Sequence, residues 1–208
     1  MNDTLRFIFS AITAGACIGI AATTYLQLGG LGGCALFALG LMAVVYFELH
    51  LFTGKSQFCW GRRKKDTKDS LSYGRLAAIL ALNIIGCAAM TLVSDPSGFI
   101  VDPGAIVGKR IADGWFESGI RSIPCGFIMT LSVRSARSGL WWPLIFGVPS
   151  FIICSFPHCV ADIFYYAACA PSLSASDWVA LAGVYPATVV GNYLGCNIYR
   201  SFSPKRQH

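Results

Sequence analysis

The sequence predicts an all-α membrane protein with six transmembrane helices, arranged as an inverted 3+3 repeat with one interrupted helix in each half. Composition, a succession of apolar segments and an internal repeat support this prediction. Of the 208 residues, 55% are hydrophobic and only 12% are charged, and the mean hydropathy is +0.59. Soluble domains contain about 25% charged residues, and a small soluble chain has too much surface to hide so many apolar side chains. Lipid is therefore the expected solvent for much of the chain.

The first half contains three apolar segments. Residues 8–28 end before a Gly-Gly turn signal, and about 20 apolar residues are enough to cross a bilayer. Residues 32–60 are too long for one simple span and contain the polar sequence LFTGK at 51–55. We therefore expect two half-helices there, joined by an irregular loop near LFTGK. Residues 76–93 form the third predicted span.

The second half follows the turn-rich connection SDPSGFIVDPG. It begins with a short amphipathic or re-entrant segment at 104–118, in which charged residues alternate with apolar ones. Three further spans are predicted, at 119–133, 140–170 and 178–199. Six glycines in the spans are expected to be positions of close helix packing: Gly40, Gly86, Gly126, Gly147, Gly191 and Gly195.

Pro157 and His158 interrupt the fifth span. Proline removes a backbone donor and clashes with the preceding turn, so we expect the helix to break just before His158. Backbone freed at membrane depth is tolerated only where it is buried in protein or lines a cavity. His158 is therefore expected near a lumen, as part of a pathway, although a histidine can also bridge two helices by hydrogen bonds.

The basic residues orient the predicted helices. If six spans alternate, most of the 16 lysines and arginines fall on the side of both termini, including the polar stretch at 61–75. By the positive-inside rule this side is cytoplasmic, which predicts a multi-pass protein of the cell membrane with both termini in the cytoplasm. The net charge of +6 then reflects topology and not a nucleic-acid-binding surface.

An internal repeat relates two halves of a single domain spanning 1–208, at about 1–95 and 104–208. ALNIIGCA at 81–88 resembles VVGNYLGCN at 189–197. Three residue pairs have nearly the same separation along the chain: Asn83 and Asn192, His50 and His158, and Cys17 and Cys125. Because each half holds three spans, the halves must insert with opposite orientations, as in many transporters and channels. In that plan the two interrupted helices meet near the midplane and form the pathway.

Motifs for other functions are lacking. The sequence has no HExxH, GxSxG or paired acidic motif, so an enzyme is not expected and a membrane-embedded enzyme is only a remote alternative. It has no CxxC pair that would indicate a metal, and its nine cysteines lie mostly in apolar runs, where cysteine behaves as a small hydrophobe. No cofactor is expected.

Several motifs resemble those of the formate/nitrite transporter family, which are pentameric, aquaporin-like anion channels. AGACIGI at 14–20 is similar to the signature of the family's first helix, and LFTG at 51–54 matches the loop that interrupts its second helix. RSIPCGFIMTLSV at 121–133 and FPHCVADIF at 156–164 are similar to the fourth-helix and fifth-helix patterns. YPATVVGNYLG at 185–195 is similar to the last-helix pattern.

The resemblance implies a set of pathway residues around a central histidine. They are His158, Thr53 beside it, Asn192 and an outer cation that is either Lys109 or Arg110. Lys55, where the family commonly has asparagine, is a further candidate pathway residue. Apolar constrictions are implied at Leu51, Phe52 and Phe156. From the residues themselves, Asp162 and Asn83 are expected to support these groups, and Asp162, one helical turn after His158, is expected to orient its ring. From the residues alone Lys55 can also extend to the cytoplasmic interface, and both asparagines can be structural.

The implied function is passive or proton-coupled transport of small monovalent anions by a homopentamer in the lipid bilayer. Formate is the favoured substrate, with hydrosulfide or nitrite as alternatives. A bare anion in an apolar constriction costs on the order of ten kcal/mol. Fixed positive potential or a proton lowers that cost. A histidine can hold a proton near neutral pH, and the half-helix N-terminus after Pro157 is expected to favour an anion.

Overall fold

The computed structural model describes residues 2–59 and 71–199, and within them the chain is helical and has no strand. The all-α prediction is therefore confirmed for the described residues. Most of the polar stretch at 61–75 and the C-terminal residues 200–208 lie outside them. The described helices are α1 (Asp3–Leu28), α2 (Gly30–Tyr46), α3 (Phe52–Lys55), α4 (Tyr73–Ala89), α5 (Pro103–Arg137), α6 (Trp142–Ile153), α7 (Ala161–Cys169) and α8 (Ala175–Ile198).

Local signals explain where the long helices begin. Side chains of Asn2, Ser72 and Asp102 accept hydrogen bonds from backbone N–H groups in the first turns of α1, α4 and α5. At α8, Ser174 and Asp177 form a reciprocal capping box. Each of these side chains satisfies a donor that has no partner within the helix. α4, α5 and α8 begin within three residues of their predicted starts, whereas α1 begins at Asp3, five residues before its predicted start.

Three described helices are long and apolar enough to cross a membrane, by length and composition: Asp3–Leu28, Tyr73–Leu92 and Ala175–Ile198. They correspond to the first, third and sixth predicted spans. The apolar helices α2 and α6 are shorter, and each is followed by a break and a second short helix. The second and fifth predicted spans are thus divided between α2 and α3 and between α6 and α7.

The breaks lie close to their predicted places but not at them. α2 ends at Tyr46 and α3 begins at Phe52, so most of LFTGK is helical and the irregular segment precedes it. α6 ends at Ile153, which puts both Pro157 and His158 inside the second break. The physical reason is a left-handed residue in each break, Glu48 with φ 54° and Ser155 with φ 52°.

The same turn ends α2 and α6. The N–H groups of Phe47 and Leu49 donate to the carbonyls of Ala43 and Val44, at 3.0 and 2.9 Å. The corresponding bonds after α6 run from Cys154 to Ser150 at 3.0 Å and from Phe156 to Phe151 at 2.9 Å. A non-glycine residue in a sparsely populated backbone region costs about 1–3 kcal/mol and persists where its surroundings require it. Both breaks are therefore built features.

α5 joins two predicted segments. The sequence predicts separate elements at 104–118 and 119–133, whereas the structure has one stretch interrupted at Gly114. Gly114 has φ 70° and ψ 178°, a region that is essentially restricted to glycine. The boundary between the two parts therefore lies four residues earlier than predicted.

Glycines allow the helices to approach closely. A Cβ atom on Gly15 of α1 would overlap the carbonyl of Asn83, and one on Gly126 of α5 would overlap that of Asn192. At each of the six glycines predicted to be close-packing positions, a Cβ atom would lie within 3.0 Å of an atom of a neighbouring helix, which is a side-chain atom at Gly147. Their prediction is confirmed, and the close approach brings both asparagines to the breaks.

Gly114→Ala is expected to destabilise the protein by about 1–3 kcal/mol, because alanine cannot adopt this backbone conformation without strain. No atom lies within 4 Å of a Cβ at Gly114, so the effect would come from the backbone and not from a clash. Gly108→Ala is the matched control, since it lies in the same helix, also with open space around it. Thermal unfolding of the purified variants in detergent measures the difference, and equal melting temperatures would contradict this account.

Candidate functional site

The two breaks meet at His158. Oγ1 of Thr53, in the first turn of α3, lies 3.3 Å from Nε2 of His158. Both side chains are buried, with exposed fractions of 0% and 1%. The structure thus brings together the two residues expected at the centre of the pathway, one from each interrupted helix.

Backbone hydrogen bonds fix the ring of His158. Its Nδ1 accepts from the N–H groups of Ala161 at 3.0 Å and Val160 at 3.3 Å. A backbone N–H can only donate, so Nδ1 carries a lone pair and the neutral ring holds its proton on Nε2. The ring also stacks on Phe151, with centroids 5.6 Å apart. These two N–H groups near the start of α7 therefore bind the histidine, contrary to the expectation that they face an anion.

Asn192 ties the second break to α5. Its Oδ1 accepts from the N–H of Cys159 at 2.8 Å, and its Nδ2 donates to the carbonyls of Ser122 at 2.8 Å and Pro157 at 3.0 Å. Both amide protons are therefore used by backbone groups, one of them next to His158. In this geometry Asn192 positions the histidine.

Asn83 makes the same bonds at the first break. Its Oδ1 accepts from the N–H of Phe52 at 2.8 Å, and its Nδ2 donates to the carbonyls of Ala11 at 2.7 Å and His50 at 2.9 Å. The residue between these bonded positions is Leu51. By this pattern Leu51 corresponds to His158, so the sequence pairing of His50 with His158 is wrong by one position.

The glycine contacts correct a second pairing. Gly15 meets Asn83 as Gly126 meets Asn192, so these two glycines are the equivalent positions of α1 and α5. Cys17 follows Gly15 by two residues, whereas Cys125 directly precedes Gly126, so the two cysteines are not at equivalent positions. The sequence pairing of these two cysteines is therefore wrong.

Of the three residues predicted to form apolar constrictions, two are buried and the third lies in a cavity beside the histidine. Leu51 and Phe52 are buried at the start of α3, with exposed fractions of 0% and 4%. Phe156 lines a cavity of about 50 Å³ that also reaches His158, Lys109, Arg110 and Asp162. We call this the outer cavity, after the outer cation predicted at Lys109 or Arg110. A water molecule in the liquid occupies about 30 Å³, so the cavity accommodates only small molecules.

Arg110, and not Lys109, is the buried cation of the outer cavity. Its Nε donates to Oδ2 of Asp162 at 3.1 Å, its Nη2 to Oδ1 at 3.5 Å, and its Nη1 to the carbonyl of Ser155 at 2.8 Å. Lys109 is 43% exposed at its side chain and pairs with Asp113 at 3.2 Å. The carboxylate of Asp162 thus binds Arg110, and the hypothesis that it orients the ring of His158 is not supported by these contacts.

A second cavity of about 530 Å³ lies at the opposite end of α5, lined by Gln57, Phe58, Thr130, Arg134 and Tyr199 among others. Nη1 of Arg134 donates to the hydroxyl of Tyr199 at 2.8 Å and to Oε1 of Gln57 at 3.4 Å. Sequence reasoning missed Arg134 as a cavity residue, because its charge does not indicate that it lies beside a broken helix. Lys55 ends α3 on this side, with Nζ 6.0 Å from the ring centroid of Phe58.

Apolar helices, two breaks that meet at a buried histidine and a small cavity beside it define a multi-pass membrane transport protein. A family model described as Formate/nitrite transporter matches residues 1–201. The chain belongs to the formate/nitrite transporter family, and the suspected resemblance is confirmed. No curated protein sequence matches the chain.

Solved structures share the fold. A "Pentameric formate channel with formate bound" has a TM-score of 0.72 and 20% identity, over 95% of this chain and 94% of that chain. An "FNT family ion channel" has a TM-score of 0.67 and 20% identity, over 98% and 92%. The family and these neighbours are channels and transporters and not enzymes.

Asn192→Asp is expected to lower the melting temperature markedly, although the two side chains have the same shape. The carboxylate cannot donate to the carbonyls of Ser122 and Pro157, and each buried group left without a partner costs about 1–3 kcal/mol. Asn83→Asp should have a similar effect at the first break. Asn2→Asp is the control, because Asn2 is an exposed helix cap and aspartate caps equally well. A melting temperature of Asn192→Asp close to that of the control would contradict the anchoring role.

Proposed function

We propose that the chain is a channel of the cell membrane for small monovalent anions that cross together with a proton at His158. Formate is the favoured substrate, and hydrosulfide or nitrite are alternatives. The observation that carries the proposal is the geometry of His158, which lines the outer cavity. Its Nε2 is directed at Thr53, while its Nδ1 is held by the backbone.

We further infer six spans in an inverted 3+3 repeat, with both termini in the cytoplasm. The repeated turns at Glu48 and Ser155 and the equivalent bonds of Asn83 and Asn192 support this arrangement. Broken helices at corresponding positions of two halves are the usual place of a substrate site in such folds. Leu51 and His158 then occupy equivalent positions, one apolar and one polar.

The apolar constriction explains why a proton must accompany the anion. Leu51, Phe52 and Phe156 offer no polar group that could replace the hydration shell of a bare anion. Its transfer into apolar surroundings costs on the order of ten kcal/mol, before relaxation. A neutral acid avoids most of that cost and needs only hydrogen-bonding partners. Nε2–H of His158 and the hydroxyl of Thr53 are two such partners.

The ring geometry favours His158 as a hydrogen-bond donor over a proton relay. To hand a proton to an anion, the ring must first carry protons on both nitrogens. The second proton can only go to Nδ1, where it would displace the N–H groups of Val160 and Ala161. Donating a hydrogen bond from Nε2 requires no such change. The proton then comes from the outer water, and the relay is the alternative mechanism.

His158→Gln and His158→Asn separate these mechanisms. The longer glutamine side chain can place an amide N–H near the position of Nε2, whereas asparagine cannot, and neither side chain titrates. We expect His158→Gln to retain formate uptake within about tenfold of the original protein. His158→Asn should lose substantially more, because one hydrogen bond to the substrate contributes about 1 kcal/mol and the shorter side chain also fits the site less well. His50→Gln is the control, because His50 lies at the other break.

Uptake into liposomes, normalised to assembled protein and followed across pH, is the measurement. If both His158 variants assemble but lose uptake equally at every pH, the donor role is wrong and the relay is favoured. A failure of the original protein to move formate, nitrite or hydrosulfide would refute the proposed function itself.

We also propose a homopentamer with one pathway in each protomer, supported by the fold shared with a pentameric channel and by family membership. Exposed apolar side chains such as Phe116, Ile120 and Leu194 give the helices faces for neighbours or lipid. Native mass spectrometry in detergent should give five times the protomer mass. A stable monomer or tetramer would contradict this prediction.

A further inference from the structure

The ion pair of Arg110 and Asp162 lies in the wall of the outer cavity, next to His158. The exposed fractions of the two side chains are only 4% and 2%, and the shortest distance between their charged atoms is 3.1 Å. The carboxylate receives hydrogen bonds from Nε and Nη2. The positive charge of Arg110 is thus neutralised within the protein.

This pairing decides the charge that a substrate meets. A single buried cation in a cavity with low-dielectric walls attracts anions strongly. A carboxylate at contact distance turns that charge into a dipole, whose attraction decreases much faster with distance. Lys109, the other cation of the cavity, pairs with Asp113 and is more exposed, so water and salt screen it. The outer cavity is therefore close to electrically neutral.

We propose that Asp162 is a specificity-determining residue, which neutralises Arg110 so that the outer cavity admits small acids in their neutral form in preference to their anions. This inference rests on the proposed function, since it names the form of the substrate that the same pathway takes. It assigns Asp162 an electrostatic role that its contacts with Arg110 support.

A structural role is the competing explanation. Arg110 also donates to the carbonyl of Ser155, so it connects α5 to the second break and helps to hold the left-handed turn. If the pair only held the break, the charge of Asp162 would not matter to anions as long as its shape and the acceptor for Nε were kept. Asp162→Asn satisfies that condition, because the amide oxygen still accepts a hydrogen bond.

The test measures binding of formate to purified protein, by the shift in melting temperature with sodium formate at low ionic strength. For Asp162→Asn we expect formate to bind at least about tenfold more tightly than to the original protein, because the charge of Arg110 is no longer cancelled. Arg110→Gln should show weaker binding than the original protein. In the double variant Arg110→Gln with Asp162→Asn, the salt dependence of formate binding should return to that of the original protein. Asp102→Asn is the matched control for loss of one negative charge, at an exposed helix cap.

Two outcomes would overturn the inference. In one, Asp162→Asn and the original protein respond alike to formate. In the other, the double variant responds as strongly as Asp162→Asn, so that Arg110 is not the source of the attraction. If Arg110→Gln fails to assemble, Asp162→Asn compared with the double variant still decides whether Arg110 attracts formate. If Asp162→Asn fails, Arg110→Gln compared with the double variant decides whether the charge of Asp162 opposes formate binding, and equal binding by the two would overturn the inference. Because formate binding is measured without transport, a lack of uptake by the original protein would refute the proposed function while this test still decides the role of Asp162.

Discussion

The satisfaction of backbone groups at the two helix breaks is the constraint on which the structure depends. The hydrocarbon core offers no water, and a backbone group without a partner costs several kcal/mol there. Asn83 and Asn192 each provide one acceptor and two donors to the breaks and to the neighbouring helix. Gly15 and Gly126 make this possible, since any side chain would collide with the asparagine backbone. The breaks are thus held by helix packing and amide bonds together.

The same hydrogen bonds determine the chemistry of the site. The break leaves the N–H groups of Val160 and Ala161 without partners in a helix, and Nδ1 of His158 accepts from both. This use of Nδ1 leaves Nε2 as the one ring position that can carry a proton toward Thr53. A histidine placed to cap a broken helix therefore has a defined tautomer and a fixed direction for its donor. Fold and site geometry follow from one set of contacts.

The spans and the presence of the breaks could be predicted from the sequence, because the apolar segments and Pro157 indicate them without tertiary information. The left-handed turns at Glu48 and Ser155 could not, since neither residue type signals them. The number of residues that separates equivalent positions of the two halves is smaller at the breaks than in α1 and α5. A single constant separation therefore paired His50 with the wrong residue. Lys109 and Arg110 are neighbours about 100° apart on a helix, and only packing decides which faces the cavity.

At the outer cavity, Arg110 affects both the charge of the cavity and the structure of the second break, whereas Asp162 affects mainly the charge. Removing one charge of a buried ion pair leaves the other uncompensated at a cost of about 3–5 kcal/mol, so a change at either residue lowers stability. Arg110 contacts both Asp162 and the carbonyl of Ser155, and its loss affects the cavity charge and the break together. The carboxylate of Asp162 contacts Arg110, and an amide there keeps an acceptor for it. The charge of the cavity can therefore vary at Asp162 while the break that positions His158 is retained.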